Sequence, residues 1–201
     1  MSEIHSEQND QKNNKAKIFM AAALLFAEKG YNGVSMREIS ETTGLSKPTI
    51  YYYFGNKEGI YTALVETGLN YQRDLFQEIF DRNIPFKNKI IEVIKLRFQQ
   101  VKDFPEFAKF FLILFTSLEK LPFLQKIINE ASARRQLFIE LIKQGITYGE
   151  FGPRANPKVT AEILVGALFH YISMQLNCKD NILSDQLAEE IVETLFRGLN
   201  E

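Results

Sequence analysis

Hydrophobic residues recur along most of this chain at intervals of three and four positions, which is the periodicity of one face of an α-helix. No segment shows sustained alternation of apolar and polar residues, so we predict an all-α fold without a sheet. Residues 1–11 are polar and without pattern, which predicts a disordered tail. About nine helices are predicted, over residues 12–29, 36–43, 47–54, 57–82, 86–103, 105–118, 122–148, 157–178 and 183–199.

The second and third predicted helices are short and meet at a glycine. Ser35 and Glu38 form the S-x-x-E pattern of a capping box at the start of the second helix. Gly44 stands where a helix needs a left-handed residue after its last turn, and Ser46 is a good N-cap for the third helix. Pro48 falls in the first turn, where its missing N–H has no intrahelical partner to lose. This arrangement predicts a helix-turn-helix.

The third predicted helix carries more aromatic surface than an eight-residue helix needs for burial. At about 100° per residue, Ile50 and Phe54 share the side that faces the core. A helix-turn-helix presents the start of its second helix to the major groove, where hydroxyls and a lysine bind phosphates or base edges. A second packing face made by the tyrosines is the alternative interpretation. The groove-facing candidates are Lys47, Pro48, Thr49, Tyr51, Tyr52 and Tyr53.

Residues 12–64 resemble the DNA-binding domain of the TetR family of bacterial transcriptional regulators. The resemblance rests on F-x-E-K-G-Y at the end of the first helix, S-M-R-E-I in the second, G-L-S-K-x-T-I-Y-Y-Y-F in the third and N-K-E at the start of the fourth. Lys57 opens that fourth helix, whose N-terminus favours an anion such as a DNA phosphate. The hydroxyl of Ser46 is a further candidate contact. The resemblance implies DNA contacts at Arg37, Lys47, Pro48, Thr49, Tyr51, Tyr52, Tyr53 and Lys57.

The net charge is only a weak sign of nucleic-acid binding. The chain of 201 residues has a formal net charge of −1. Residues 11–60 hold seven Lys and Arg against four Asp and Glu, which gives this segment a charge of +3. We call the helix-turn-helix segment, residues 12–56, the head. Its locally positive charge is adequate for DNA binding, because a dimer would carry two such heads.

The cysteine content and the apolar segments bear on the cellular compartment. One cysteine, Cys178, excludes an internal disulfide and suits a reducing compartment. The start of the chain lacks the apolar segment of a signal peptide, and we see no apolar run long enough to span a bilayer. We therefore expect a cytoplasmic protein with no membrane partner.

Catalytic and metal-binding groups are sparse. The chain has two histidines, His5 and His170, and no Cys/His cluster has the spacing of metal ligands. No glycine-rich phosphate loop follows a strand, and the carboxylates are scattered over polar helix faces. We expect no enzymatic activity, no metal and no cofactor.

Fourteen of the seventeen phenylalanines follow residue 60, which concentrates rigid aromatic rings in the C-terminal part of the chain. Ordinary core packing accounts for any single one of them. Together they predict a cavity for a small apolar or aromatic effector. Its candidate lining is Phe98, Phe107, Phe111, Phe115, Phe138, Phe169 and His170.

The last two predicted helices are apolar around more than one face, which exceeds what a peripheral helix needs. Members of the family that this chain resembles dimerise through the two corresponding helices, as a four-helix bundle. Two-fold symmetry would match a near-palindromic operator. The candidate interface residues are Ala161, Val165, Leu168, Ile172, Leu187, Ile191 and Leu195.

These predictions combine into a domain plan and a function. The plan places a helix-turn-helix DNA-binding domain over residues 12–56 and an effector-binding and dimerisation domain over residues 57–201. The resemblance implies a homodimeric regulator of transcription, in the first instance a repressor that a small-molecule effector releases from double-stranded DNA. The alternatives are an activator or ligand-independent DNA-binding protein with the same head, and a protein–protein interaction module that uses the tyrosine-rich helix.

Overall fold

The computed structural model of the chain describes residues 2–116, 121–178 and 181–197, with side chains throughout except for residues 2–10 and 125–135. Over these residues the fold is all-helical, as predicted, and it contains no strand. The helices are α1 (Ser2–Lys29), α2 (Met36–Thr43), α3 (Lys47–Phe54), α4 (Lys57–Phe80), α5 (Phe86–Asp103), α6 (Pro105–Thr116), α7 (Gln125–Thr147), α8 (Pro157–Asn177) and α9 (Asp185–Arg197), with a 3₁₀ turn over Pro122–Leu124.

The helix boundaries follow local capping chemistry. At the start of α2, Ser35 Oγ accepts a hydrogen bond from Glu38 N, and Ser35 N donates to Glu38 Oε2 at 2.8 Å, so both halves of the predicted capping box are present. Gly44 ends α2 with a φ of 69°, a left-handed conformation that favours glycine. Asn156 Oδ1 accepts from the backbone of Lys158 at the start of α8.

The predicted limits differ from the observed ones mainly at the first helix. Helix α1 begins at Ser2, so the segment predicted to be a disordered tail is helical from that residue onward. Polar residues without glycine or proline continue a helix as readily as they form a coil, which is why composition alone misplaced this boundary. Helix α4 ends two residues before its predicted limit. The predicted ends of the helices over 105–118 and 183–199 lie partly outside the described residues.

The chain forms two compact units, which divide it differently from the predicted domains. The first unit consists of Met1–Gly68 and Glu106–Leu124, and the second consists of Leu69–Pro105 and Gln125–Glu201. The predicted boundary after residue 56 fell at a helix start, whereas α4 contributes residues to both units. Helix α6 belongs to the first unit because its phenylalanines complete that unit's core.

Aromatic side chains build the core of the first unit. The ring centroids of Phe26 and Tyr61 lie 4.7 Å apart, and that of Phe110 lies 5.2 Å from Tyr61. Gly68 allows α4 to approach α6 closely, since a Cβ atom at this position would lie 2.4 Å from Phe111 Cζ. The helix-turn-helix therefore rests on a core that includes residues from far along the chain.

The second unit is built around α5, α7, α8 and α9, which pack on one another. Its largest fully buried side chains include Phe98, Ile94 and Ile142. Phe151, in the loop after α7, stacks on Phe196 of α9 with a centroid distance of 4.0 Å. These contacts leave part of α8 uncovered.

Helix α8 corrects the expectation that no apolar run reaches the length of a membrane span. Its 21 residues, Pro157–Asn177, have a mean hydropathy of 1.3 and are long and apolar enough to cross a bilayer by those two measures alone. A helix at the core of a soluble protein satisfies the same measures. The apolar character of α8 therefore does not by itself distinguish a membrane span from a helix that packs on other helices.

Candidate nucleic-acid interface

Side-chain hydrogen bonds lock the turn between α2 and α3. Ser40 Oγ donates to the carbonyl oxygen of Leu45 at 2.7 Å, and Thr43 Oγ1 accepts from Leu45 N at 3.2 Å. With Gly44 in the left-handed region, these bonds fix the path of the three residues between the helices. The turn predicted from the sequence is therefore held by specific contacts and positions α3 firmly on the head.

The start of α3 is capped by two hydroxyl groups that also bind each other. Ser46 Oγ accepts from Thr49 N at 3.3 Å, and the two hydroxyl oxygens lie 2.8 Å apart. Pro48 occupies the first turn, as predicted. Ser46 and Thr49 thus stabilise the start of the helix, and these hydrogen bonds fix the positions of both hydroxyl groups.

Helix α3 has one buried side and one solvent-facing side. Ile50 is completely buried, and the Phe54 ring lies 5.3 Å from the Phe19 ring. Tyr51 and Tyr52 are 45% and 78% exposed. A helix of eight residues therefore presents two tyrosine rings to solvent within the unit that carries it, which favours a contact surface over a second packing face.

The remaining candidates on α3 differ in their surroundings. Lys47 and Pro48 are exposed at the N-terminal end of the helix. Tyr53 is half-buried, with its ring 6.3 Å from Phe54, and Lys15 Nζ lies 5.9 Å from the ring centroid of Tyr53. Tyr53 is therefore more a packing residue than the sequence suggested.

Lys57, at the start of α4, is half-buried and contacts the segment between α1 and α2. Its ammonium group donates to the carbonyl oxygens of Tyr31 and Val34 at 2.8 and 2.9 Å, and it lies 4.3 Å from the Tyr31 ring centroid. Two of its three N–H donors are therefore used to hold the chain between α1 and α2. The structure therefore gives Lys57 a structural role, and the phosphate contact remains a prediction for its third N–H donor.

Charged pairs flank the helix-turn-helix. Arg37, a further candidate contact, is exposed on α2 and donates from Nε to Glu41 at 2.7 Å, which leaves its terminal nitrogens without a pair among the described residues. Lys29 donates to Glu38 at 2.6 Å. This hydrogen bond, together with those from Ser35, lowers the pKa of Glu38 to about 2. The capping box is therefore charged over the whole physiological range of pH.

The candidate lining of the effector pocket is divided between the two units. Phe107, Phe111 and Phe115 belong to the first unit, and the other four residues belong to the second. Their burial also differs, so that they do not form one uniform set. Phe98, Phe111 and Phe138 are buried, Phe107 and Phe169 are half-buried, and Phe115 and His170 are exposed.

The interface candidates also divide by burial. Ala161, Leu168 and Ile172 are buried in the core of their own unit, which corrects their assignment to an interface. They face inward because α8 packs on α7 and α9 through this side. The half-buried candidates are Val165, Leu187, Ile191 and Leu195.

A different side of α8 carries the exposed apolar residues. Val159 and Ile163 are each more than half exposed, and Gly166 has no atom within 4 Å of the position that a Cβ would take. His170 and Met174 continue this line along the helix. The sequence analysis assigned His170 to the effector pocket and did not name the other four as interface candidates. Their spacing of four, three, four and four positions places them on one helical face but does not say whether that face is exposed.

Comparisons with known proteins agree with this geometry. Residues 18–64 match the model of the bacterial regulatory proteins of the tetR family. The biofilm operon icaADBC HTH-type negative transcriptional regulator IcaR of Staphylococcus epidermidis is 41% identical over 69 residues, which are 34% of this chain and 37% of IcaR. The HTH-type transcriptional regulator RutR of Escherichia coli strain K12 is 22% identical over 198 residues, which are 92% of this chain and 90% of RutR.

Solved structures extend the similarity of fold beyond the head. The transcriptional regulator FadR from Bacillus subtilis, in complex with stearoyl-CoA, superposes with a TM-score of 0.73 at 21% sequence identity. The alignment covers 91% of this chain and 98% of FadR. The match to the family model falls on α1 to α4, where the helix-turn-helix lies, and the remaining helices share the architecture of these regulators. The chain therefore carries, over residues 18–64, the helix-turn-helix domain of the TetR family of bacterial transcriptional regulators.

Proposed function

We propose that the protein is a homodimeric repressor that binds a near-palindromic operator through α3 and leaves it when a small effector binds. The observation that carries the proposal is the amphipathic character of α3, in which Ile50 is completely buried while Tyr52 is 78% exposed. A recognition helix needs this division, because one side must be anchored while the other enters the major groove.

The exposed side chains of α3 divide the work of binding. Lys47, at the N-terminal end, supplies an exposed charge for a phosphate. Tyr51 and Tyr52 offer a hydroxyl for a phosphate or a base edge, and a ring for a thymine methyl group. Arg37 on α2 adds a cation whose terminal nitrogens are unpaired in the part of the chain that the structure describes. These four residues form the proposed reading surface.

Dimerisation is proposed through the uncovered face of α8, defined by Val159, Ile163, Gly166, His170 and Met174, together with the half-buried side of α9. A row of exposed apolar side chains with a glycine at its centre favours close approach of a second helix. A second copy presents the same row, which meets the requirement of a two-fold interface. The half-buried residues of α9 that flank this face are Leu187, Ile191 and Leu195.

The proposed effector has an apolar body. The second unit is rich in buried phenylalanine, and a similar fold, that of FadR from Bacillus subtilis, was solved in complex with stearoyl-CoA. Repression is supported by the 41% identity over 69 residues to IcaR, a negative regulator. Release would require only that the effector bind the conformation with the wrong spacing of recognition helices a few kcal/mol more tightly.

Capture of DNA fragments from the source genome by the purified full chain tests this function directly. We expect enrichment of an inverted repeat whose half-sites are about one helical turn apart, followed by a mobility shift with that fragment. Stearoyl-CoA, with free coenzyme A as the control, tests release, and a reporter gene behind the captured site gives the sign of regulation. Enrichment of no common sequence would contradict the proposal, and activation of the reporter would favour the activator.

A further inference from the structure

Arg97 and Gln100 form a polar pair on a covered face of α5 in the second unit. Arg97 Nη1 donates a hydrogen bond of 2.8 Å to Gln100 Oε1. Val93 and Val101, one turn before and one turn after Arg97 on the same side of the helix, are both buried. A guanidinium and an amide therefore lie where the helix otherwise packs apolar side chains.

The charge on Arg97 has no carboxylate partner among the side chains that the structure describes. Gln100 is the one acceptor found for it there, and a neutral amide does not balance a cation. Burial lowers the pKa of Arg97 to about 10, so the group remains charged at neutral pH. By contrast, Lys95 on the same helix pairs with Glu189 at 2.6 Å. Arg97 is half-buried, and a cation that is partly removed from water without a nearby counter-charge is a candidate site for an anionic ligand.

The amide of Gln100 also lacks a hydrogen-bond acceptor. Its Nε2 atom is buried and has no hydrogen-bond partner among the residues that the structure describes. The amide cannot be reversed without loss, because Oε1 already accepts from Arg97 and an NH₂ group would face the guanidinium donors instead. The pair thus presents Gln100 Nε2 and the Arg97 nitrogens that do not bind Gln100, and the described side chains supply no acceptor for these donors.

Apolar side chains adjoin this pair. Val93, one turn from Arg97, lines a cavity of about 10 Å³ within the second unit, which is room for about one water molecule. An effector can enter this region only if the rings move apart, and such a displacement couples binding to a change of conformation. The other residues that line the cavity are Phe76, Phe80, Leu137, Phe138 and Leu141.

We propose that Arg97 and Gln100 bind the oxyanion of an amphipathic effector, whose apolar body packs among the phenylalanines of the second unit. The inference rests on the proposed ligand-responsive function and narrows its effector from any molecule with an apolar body to one whose apolar body carries a carboxylate or a phosphate. Such a group only accepts hydrogen bonds, which matches two donors, and a guanidinium binds it with charge assistance.

Direct binding to the full chain without DNA tests this assignment. The probes for calorimetry are octanoate, octyl phosphate and 1-octanol, with 3-phenylpropionate and 3-phenyl-1-propanol as an aromatic pair. We expect at least one anion to bind about tenfold or more tightly than its matched alcohol. The comparison of octanoate with octyl phosphate decides between a carboxylate and a phosphate.

Substitutions test whether Arg97 and Gln100 cause the tighter binding of anions. Arg97→Met and Gln100→Leu should remove most of the difference between anion and alcohol, whereas Lys102→Met and Gln99→Leu, at exposed positions of the same helix, should retain it. Arg97→Met should melt at the same or a higher temperature without ligand, because it removes a desolvated charge, so a loss of binding would not reflect a loss of folding.

Three results would overturn the inference: equal binding of anion and alcohol by the unaltered protein, binding of none of the probes, or retention of the preference by Arg97→Met. The proposed function is tested separately, by capture of an operator and by release from it. A protein that is released from DNA by 1-octanol and octanoate alike keeps the function and loses the anion site. A protein with an anion preference but no captured operator loses the repressor function alone.

Discussion

Lys57 and Tyr31 are joined twice, because the Lys57 ammonium donates to the Tyr31 carbonyl oxygen at 2.8 Å and lies 4.3 Å from the centroid of its ring. Lys57→Met keeps the apolar stem and removes the charge. We expect the free energy of unfolding to fall by about 1.5–3 kcal/mol, the usual contribution of a hydrogen bond to a charged group. Denaturant titration measures the change. Lys47→Met, at an exposed position, is the control, and identical stability of the two variants would contradict the structural role.

Tyr51 should contribute to operator affinity without supporting the fold. Because its ring is 45% exposed, Tyr51→Ala leaves little cavity. We expect operator affinity to fall by about 1–3 kcal/mol, roughly tenfold or more, with an unchanged melting temperature. Fluorescence anisotropy with labelled operator gives the affinity. Tyr71→Ala removes an exposed tyrosine on α4 and should bind as the unaltered protein does; an equal loss in both variants would argue against a specific contact.

Lys47, exposed at the N-terminal end of α3, is expected to bind a DNA phosphate. Neutralising one phosphate-binding lysine lowers the slope of log affinity against log salt concentration by about one, whatever the DNA sequence. Lys47→Met should therefore bind operator and unrelated DNA more weakly to a similar degree, with a flatter salt dependence. Filter binding over a series of salt concentrations measures the slope. If the slope stays unchanged, Lys47 contacts no phosphate.

The ionisation of Glu38 should make the stability of the helix-turn-helix depend on pH. Hydrogen bonds from Lys29 and Ser35 lower its pKa to about 2 in the folded state, below the ordinary value of 4.5. The folded state thus holds the carboxylate more firmly than the unfolded state does, and this stabilisation is present above pH 4.5 and disappears as the pH falls towards 2. Glu38→Gln should melt at a lower temperature at neutral pH.

Melting curves of both proteins from neutral pH down to strong acid test this linkage. The difference in melting temperature between Glu38→Gln and the unaltered protein should shrink as the pH falls from 4.5 to about 2. Glu66→Gln, at an exposed position on α4, provides the control for a simple loss of charge. A difference that is constant with pH would show that packing or capping geometry, and not ionisation, is responsible.

Ile163 should decide the oligomeric state if α8 meets its copy in a second subunit. Its side chain is 54% exposed, so Ile163→Glu disturbs the isolated subunit little while placing like charges across a two-fold axis. We expect sedimentation equilibrium to show a shift from dimer to monomer. Gln136→Glu, which is exposed on α7, adds the same charge elsewhere and should remain dimeric. A variant that stays fully dimeric would place the interface on another surface.

Local chemistry made the helix-turn-helix predictable. A capping box, a left-handed glycine and an N-cap each involve residues at most three positions apart, so Ser35, Gly44 and Ser46 announce their roles in the sequence. The division of α3 into a buried and an exposed side followed from helical periodicity. For the same reason, the all-helical class was predicted correctly.

Longer-range partners were not predictable from one sequence. Lys57 has its acceptors on residues 26 and 23 positions earlier, and no local pattern indicates that an ammonium group turns towards them. Helix α8 is apolar on most sides, so periodicity could not separate the buried Leu168 from the exposed Ile163. The isolation of Arg97 was hidden too, since the sequence does not say which carboxylates lie near it in space.

The hydroxyl pair of Ser46 and Thr49 has a consequence for redesign of operator preference. These two residues hold the start of α3 and are also predicted DNA contacts, so exchanging either one is expected to change helix stability and recognition together. Lys47 and Tyr52 are both exposed, so exchanging them should affect recognition without affecting the stability of the helix. A library that randomises these solvent-facing positions and leaves the two hydroxyls alone would retarget the protein to new promoters while keeping its scaffold intact.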